Sequence, residues 1–214
     1  MTQIVDPLLI VALTLNFVAL GVSRIRAVIN AVALQGILLG ILPFFVHSDF
    51  GYRGVLLIGV TIALKGFIIP GFLRHAMREA DIQHEDQPTV NYMTSLLLGG
   101  IGTGLAMVFS KTLELLDDNP TTILLVPASL STVWAGFLML TTRKKAIMQV
   151  LGYLLLENGI FLFGLLLLEA MPFLVEVGVL LDLFTGVFVM GIIIYHINRE
   201  FASASMEHLT ELKE

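Results

Sequence analysis

The chain has 214 residues, of which 57% are hydrophobic and 14% charged, with a formal net charge of −5 and a mean hydropathy of +0.91. A soluble domain carries about 25% charged residues, so this composition, with its recurring long apolar runs, indicates a polytopic α-helical membrane protein and excludes the short alternating segments of a β-barrel. The absence of cysteine excludes thiolate-held iron–sulfur clusters and CxxC redox chemistry in this chain, and no basic cluster is large enough to hold nucleic acid.

In chain order, residues 1–6 carry no positive charge ahead of the first apolar run, which predicts a retained helix rather than a cleaved signal. Seven spans are predicted, at residues 7–22, 28–46, 54–73, 92–109, 123–140, 147–168 and 173–195. Each is near the ~20 residues that cross ~30 Å of hydrocarbon at ~1.5 Å per residue. If the spans alternate, Arg24, Arg26, Arg74, Arg78, Arg143, Lys144, Lys145, Arg199 and Lys213 share one side, and only Arg53 and Lys111 lie on the other. That imbalance predicts an external N-terminus and a cytoplasmic C-terminus. The polar stretch 74–90 is expected to extend the third helix or lie at the surface. The Asn119-Pro120 turn divides a four-helix part, 1–119, from a three-helix part, 120–197, followed by a cytoplasmic tail, 198–214.

Two of the last spans carry an acid near the middle, Glu157 and Asp182. A carboxylate at bilayer depth costs roughly 2.5–3.5 kcal/mol on insertion scales and is usually functional. The short connection 169–172 makes the two helices antiparallel neighbours. Counting from the outer ends puts the acids about 3 Å apart along the membrane normal at ~1.5 Å per residue. Burial disfavours the charged form of a carboxylate, which suits a proton relay. The bland alternative is a pair of neutral acids acting as interhelical glue.

Lys65, in the third span, falls at the depth of Glu157. It is too far from either surface to snorkel, so it is expected to pair with Glu157, Asp182 or an acid of a partner subunit, as a charge switch or as a static ion pair. Pro70 frees the carbonyl of Gly66, which faces either a wet space beside Lys65 or a simple packing kink. Glu176 is either an outer relay point or an interfacial acid. Asn158, Gln35, Asn16 and Thr185 are expected to hydrogen-bond between helices, with Asn158 and Gln35 as candidates to support the relay. The glycine run 99–104 fits a helix-packing face rather than a phosphate loop. No histidines show metal-ligand spacing, and no nucleophile–base set is present, so neither a metal, a cofactor nor a catalytic centre is expected.

The segment 149–159, with Glu157-Asn158-Gly159 at its end, followed by Pro172 to Gly178 and then Asp182, resembles the hydrogenase-4 component E family of membrane subunits. Lys65 with Pro70, and the ending His208 to Lys213, look like that family too. The last three spans are similar to subunit K of bacterial complex I and to its small three-helix relative in the multisubunit Na⁺/H⁺ antiporters, where two membrane glutamates lie on consecutive helices. Glu157 matches the first and Asp182 the second, with Asp in place of Glu.

The resemblance implies a non-catalytic subunit of a group 4 energy-converting [NiFe] hydrogenase or formate hydrogenlyase assembly, in a bacterial or archaeal cytoplasmic membrane. It further implies antiporter-like membrane subunits, a membrane anchor of the quinone-site type and a peripheral [NiFe]/iron–sulfur arm as partners, with the redox centres in that arm. Two other readings remain open beside a proton-conducting subunit: a structural spacer with static acids, and a subunit of a cation/proton antiporter.

Overall fold

Six of the apolar runs are helices long and apolar enough to cross a membrane. The computed structural model describes residues 2–46, 52–79, 84–85, 88–112 and 124–166. The predicted seventh span, with Glu176, Asp182 and Thr185, and the tail 198–214 lie outside the described residues.

The helices are α1 (Thr2–Gly21), α2 (Ile25–Val46), α3 (Tyr52–Ile62), α4 (Ile69–Glu79), α5 (Tyr92–Ser110), α6 (Leu125–Thr142) and α7 (Ala146–Leu166). A π-helical segment, Ala63–Ile68, joins α3 to α4, so the three pieces form one span. No strand occurs among the described residues; backbone pairing is limited to an isolated antiparallel bridge between Arg24 and His84. The ends differ from the predicted ones by a few residues. α1 starts before Pro7 rather than at it, and α6 runs two residues past Leu140, to Thr142.

The α6–α7 hairpin is the most closely packed pair. α6 also packs on α1 and α5, and α7 on α2. Glycine makes the hairpin possible. A Cβ on Gly136 would collide with the backbone of Leu156, and one on Gly159 would come within 2.5 Å of the Val133 nitrogen. In a bilayer no hydrophobic force drives helices together, so close backbone approach through small residues is a main source of attraction.

α5 shows how the sequence separates inside from outside. Ser95, Gly99, Gly102, Ala106 and Ser110 are its buried face, while Met93, Leu97, Ile101, Leu105 and Val108 are exposed. The glycine run therefore splits. Gly99 packs on Leu20 and Gly102 on Trp134, whose Nε1 donates to the Leu98 carbonyl at 3.0 Å; Gly100 and Gly104 face open space. Small residues inside and large apolar ones outside are the arrangement of a helix in lipid.

Two apolar cores stack along the bundle. One contains Leu20, Ile25, Val28, Met139, Met148 and Leu151. The other contains Val5, Leu9, Leu39, Leu42, Leu125 and Leu162. On each of α1, α2, α6 and α7 a polar residue falls between them: Asn16, Gln35, Thr132, and the Glu157-Asn158 pair.

Candidate functional site

The polar layer between the two cores is one connected hydrogen-bond network. Lys65 sits in the π-helical segment, buried, with Nζ 3.2 Å from Glu157 Oε1. The same Nζ donates to Asn158 Oδ1 at 3.2 Å. Asn158 Nδ2 donates to Gln35 Oε1 at 3.2 Å, and Gln35 Nε2 donates to Asn16 Oδ1 at 2.8 Å and to the Ala12 carbonyl at 3.2 Å. Asn16 Nδ2 donates to Thr132 Oγ1 at 2.9 Å, and the Thr132 hydroxyl donates to the Ala128 carbonyl at 2.7 Å. All six side chains are buried. Five membrane spans thus contribute to one layer near mid-depth.

Local sequence explains how Lys65 reaches this layer. Pro70 has no N–H, so the Gly66 carbonyl four residues earlier loses its α-helical partner. The chain adopts wider π turns just before it, with the Ile69 N–H bonded to the Leu64 carbonyl. Such π segments are rare and are frequently found at functional sites. Opposite lies Gly36 of α2, where a Cβ would be 2.8 Å from Lys65 Cβ. The missing side chain lets the lysine backbone lie against α2 while its ammonium reaches α7. The Phe161 ring centroid is 5.3 Å from Nζ, within cation–π range.

An ammonium and a carboxylate removed from water each cost several kcal/mol. Their mutual attraction offsets this only when further hydrogen bonds surround the pair. Asn158 supplies one of those bonds. A cavity of about 10 Å³ adjoins Lys65 and Asn158 and continues between Val32, Pro70, Leu73 and Leu154. Leu73 belongs to the apolar core that contains Leu20 and Ile25, so this cavity, about the size of one water, lies on the Arg24 side of Lys65.

That end holds a second buried polar cluster, which the sequence alone does not reveal. The stretch 74–90 reads as helix extension or surface. α4 does carry the chain to Glu79, but Glu85 turns inward and is buried. Its Oε1 accepts from the backbone N–H groups of Lys144, at 3.0 Å, and Lys145, at 3.3 Å, at the start of α7. A carboxylate there satisfies orphan N–H groups and meets the positive end of the helix dipole. The Glu85 N–H bonds to Ser23 and its carbonyl accepts from the Tyr92 hydroxyl, at 2.7 Å. Lys145 Nζ donates to the His84 carbonyl.

Arg143, which the sequence places among the loop charges, is buried too. Its Nη2 donates to the Leu20 carbonyl at 2.6 Å, and its guanidinium carbon lies 4.4 Å from the Tyr92 ring centroid. Burial pushes the Arg143 pKa below its usual value, while Tyr92 and Glu85 pull it up. The cluster ties the α1–α2 turn, the segment after α4 and the α6–α7 turn together at one end. This end carries most of the basic residues.

Of the sequence-derived site residues, the structure brings Lys65, Glu157, Asn158 and Gln35 together. Glu176 and Asp182 lie outside the described residues. Thr132 is an addition from the structure, because a mid-helix threonine ordinarily bonds back to its own helix. Its signal is positional: one polar residue at matched depth in each of several spans. Among the described residues no group of His, Asp and Glu could hold a metal ion.

No family model matches the chain, and no solved structure matches it. Hydrogenase-4 component E of Escherichia coli (strain K12) and of Shigella flexneri are each 35% identical to it over 78 residues, 36% of this chain and 36% of theirs. This partial similarity supports a possible relationship. The uncharacterized protein Rv0085 of Mycobacterium tuberculosis is 33% identical over 194 residues, 89% of this chain and 87% of that protein. The chain is a multi-pass membrane protein whose regular elements among the described residues are all helices, and it belongs to the family of Rv0085.

Proposed function

We propose that this chain is a membrane subunit of a multisubunit complex of the energy-converting hydrogenase type and that its mid-membrane charges carry part of a proton path. The observation that carries the reading is the Lys65–Glu157 ion pair, buried near the middle of two spans at 3.2 Å. Charges at that depth are rare, pair with one another and mark ion pathways. The partial similarity to hydrogenase-4 component E supports the kind of complex. In this proposal the chain has seven spans with an external N-terminus, in a bacterial or archaeal cytoplasmic membrane. Asp182 and Glu176 continue the path outward from Glu157. The partners are antiporter-like subunits, a quinone-site-type anchor and a peripheral [NiFe]/iron–sulfur arm.

A second reading has its own support. The pair is embedded in hydrogen bonds that cross five spans, which is also what a static clamp between helices would look like.

Two measurements test the proposal. Affinity purification of the full-length chain should bring down a [NiFe] large subunit; recovery of a complex without hydrogenase-type subunits overturns the assignment to this kind of complex. Among complexes that still assemble, replacing Lys65 by Met should lower proton translocation in vesicles; unchanged translocation in those complexes favours the clamp.

A further inference from the structure

The network around Lys65 has a direction. Asn158 turns its amide oxygen to Lys65, Gln35 turns its oxygen to Asn158, and Asn16 turns its oxygen to Gln35. Thr132 presents its hydroxyl oxygen to Asn16 and gives its own proton to the Ala128 carbonyl. Every link therefore donates away from Lys65 and accepts from the lysine side. Each dipole has its negative end toward Nζ.

Two consequences follow. First, Nζ faces acceptors: the Glu157 carboxylate, the Asn158 oxygen and the electron-rich face of Phe161. An ammonium has three donors and no acceptor, so it suits this surrounding, whereas the lone pair of a neutral amine would be set among these same electron-rich groups. Aligned hydrogen bonds also polarise one another, which strengthens the effect along the chain. Second, the chain leads nowhere for a proton. Amide N–H groups donate hydrogen bonds but are not acids at neutral pH, and the last acceptor is a backbone carbonyl in the buried part of α6.

We infer that Asn158, Gln35, Asn16 and Thr132 are positioning residues that hold Lys65 in its ammonium form, and that they are not carriers of the proton. This deepens the relay reading: within it, Lys65 is a maintained positive charge, and the group that gains and loses the proton is on the Glu157 side. Among the described residues, Glu157 is the titratable group that faces Lys65 from α7; from α2, Gly36 and Ile37, neither of them titratable, lie against the lysine's segment.

The test reads the charge of Lys65 and not proton flux. The full-length chain, labelled with ¹⁵N-lysine, is placed in lipid nanodiscs at neutral pH and then at rising pH, until both forms of the side chain are seen. The side-chain nitrogen of Lys65 is assigned by its loss in Lys65→Arg. The native protein should show an ammonium signal. Gln35→Met cuts the chain at its centre, and Thr132→Val, close to isosteric, removes its far end. Both should lower the ammonium-to-amine ratio of Lys65, more for Gln35→Met, which removes the acceptor of Asn158 Nδ2, than for Thr132→Val, which acts from the far end. An amine in the native protein at neutral pH, or a ratio in both variants equal to the native one across the pH series, overturns the inference. If proton translocation proves independent of Glu157 while these ratios still change, the relay reading fails and this inference stands.

Discussion

Gly36 and Lys65 meet backbone to backbone: a Cβ on the glycine would lie 2.8 Å from the Cβ of the lysine. The obstacle is the root of the lysine and not its flexible end, so α2 or the π-helical segment would have to move. Gly36→Ala should gain about 1 kcal/mol of helix propensity but lose about 1–3 kcal/mol to overpacking. The expected net effect is a lower melting temperature in detergent. Gly100→Ala and Gly104→Ala are the controls, since nothing lies near those positions; both should match or exceed the native protein. A Gly36→Ala protein as stable as these controls contradicts the packing described.

The ion pair predicts strong coupling. Removing one partner of a buried pair costs about 3–5 kcal/mol because the other charge is left uncompensated, whereas replacing both by apolar groups is far cheaper. Lys65→Met and Glu157→Leu should each destabilise the protein to reversible unfolding, and the double variant should lose much less than their sum. Additive losses would show that the two side chains do not interact.

Glu85 should act as the cap of α7. Glu85→Ala removes the acceptor for two N–H groups at the helix start and should cost about 0.5–2 kcal/mol, the range for lost N-caps. Glu85→Gln keeps an oxygen acceptor and should cost less, with the remainder reporting the charge–dipole interaction. Faster proteolysis between residues 80 and 90 in Glu85→Ala is the accompanying readout. Equal stability of the native protein and Glu85→Ala would remove the capping role.

Much of this is legible in the sequence, for one physical reason. The bilayer gives every span a common ruler, so counting residues from the span ends places Lys65 level with Glu157 without any knowledge of packing. The same ruler flags Thr132, provided that a residue bonding back to its own helix is also weighed as an acceptor for another. Pro70 announces an interrupted helix, though not that the interruption takes the form of π turns that start before Lys65. Hydropathy carries no information on which spans are neighbours, so the packing of α1 on α6 and of α2 on α7, and with it the route from Asn158 to Asn16, is not readable there. Glu85 and Arg143 are hidden differently. Each lies in a polar, charged stretch that reads as surface, and each is buried because turns distant in sequence close over it.

Whether the Lys65–Glu157 pair belongs to a proton path is read from the number of protons translocated per electron pair in sealed inverted vesicles that contain the assembled complex. The native complex is compared with Glu157→Gln, which keeps the shape of the side chain and one acceptor oxygen but removes its charge and its titration. Electron transfer should persist while the proton-to-electron ratio falls. A Glu157→Gln complex that assembles fully and translocates protons at the native ratio contradicts it.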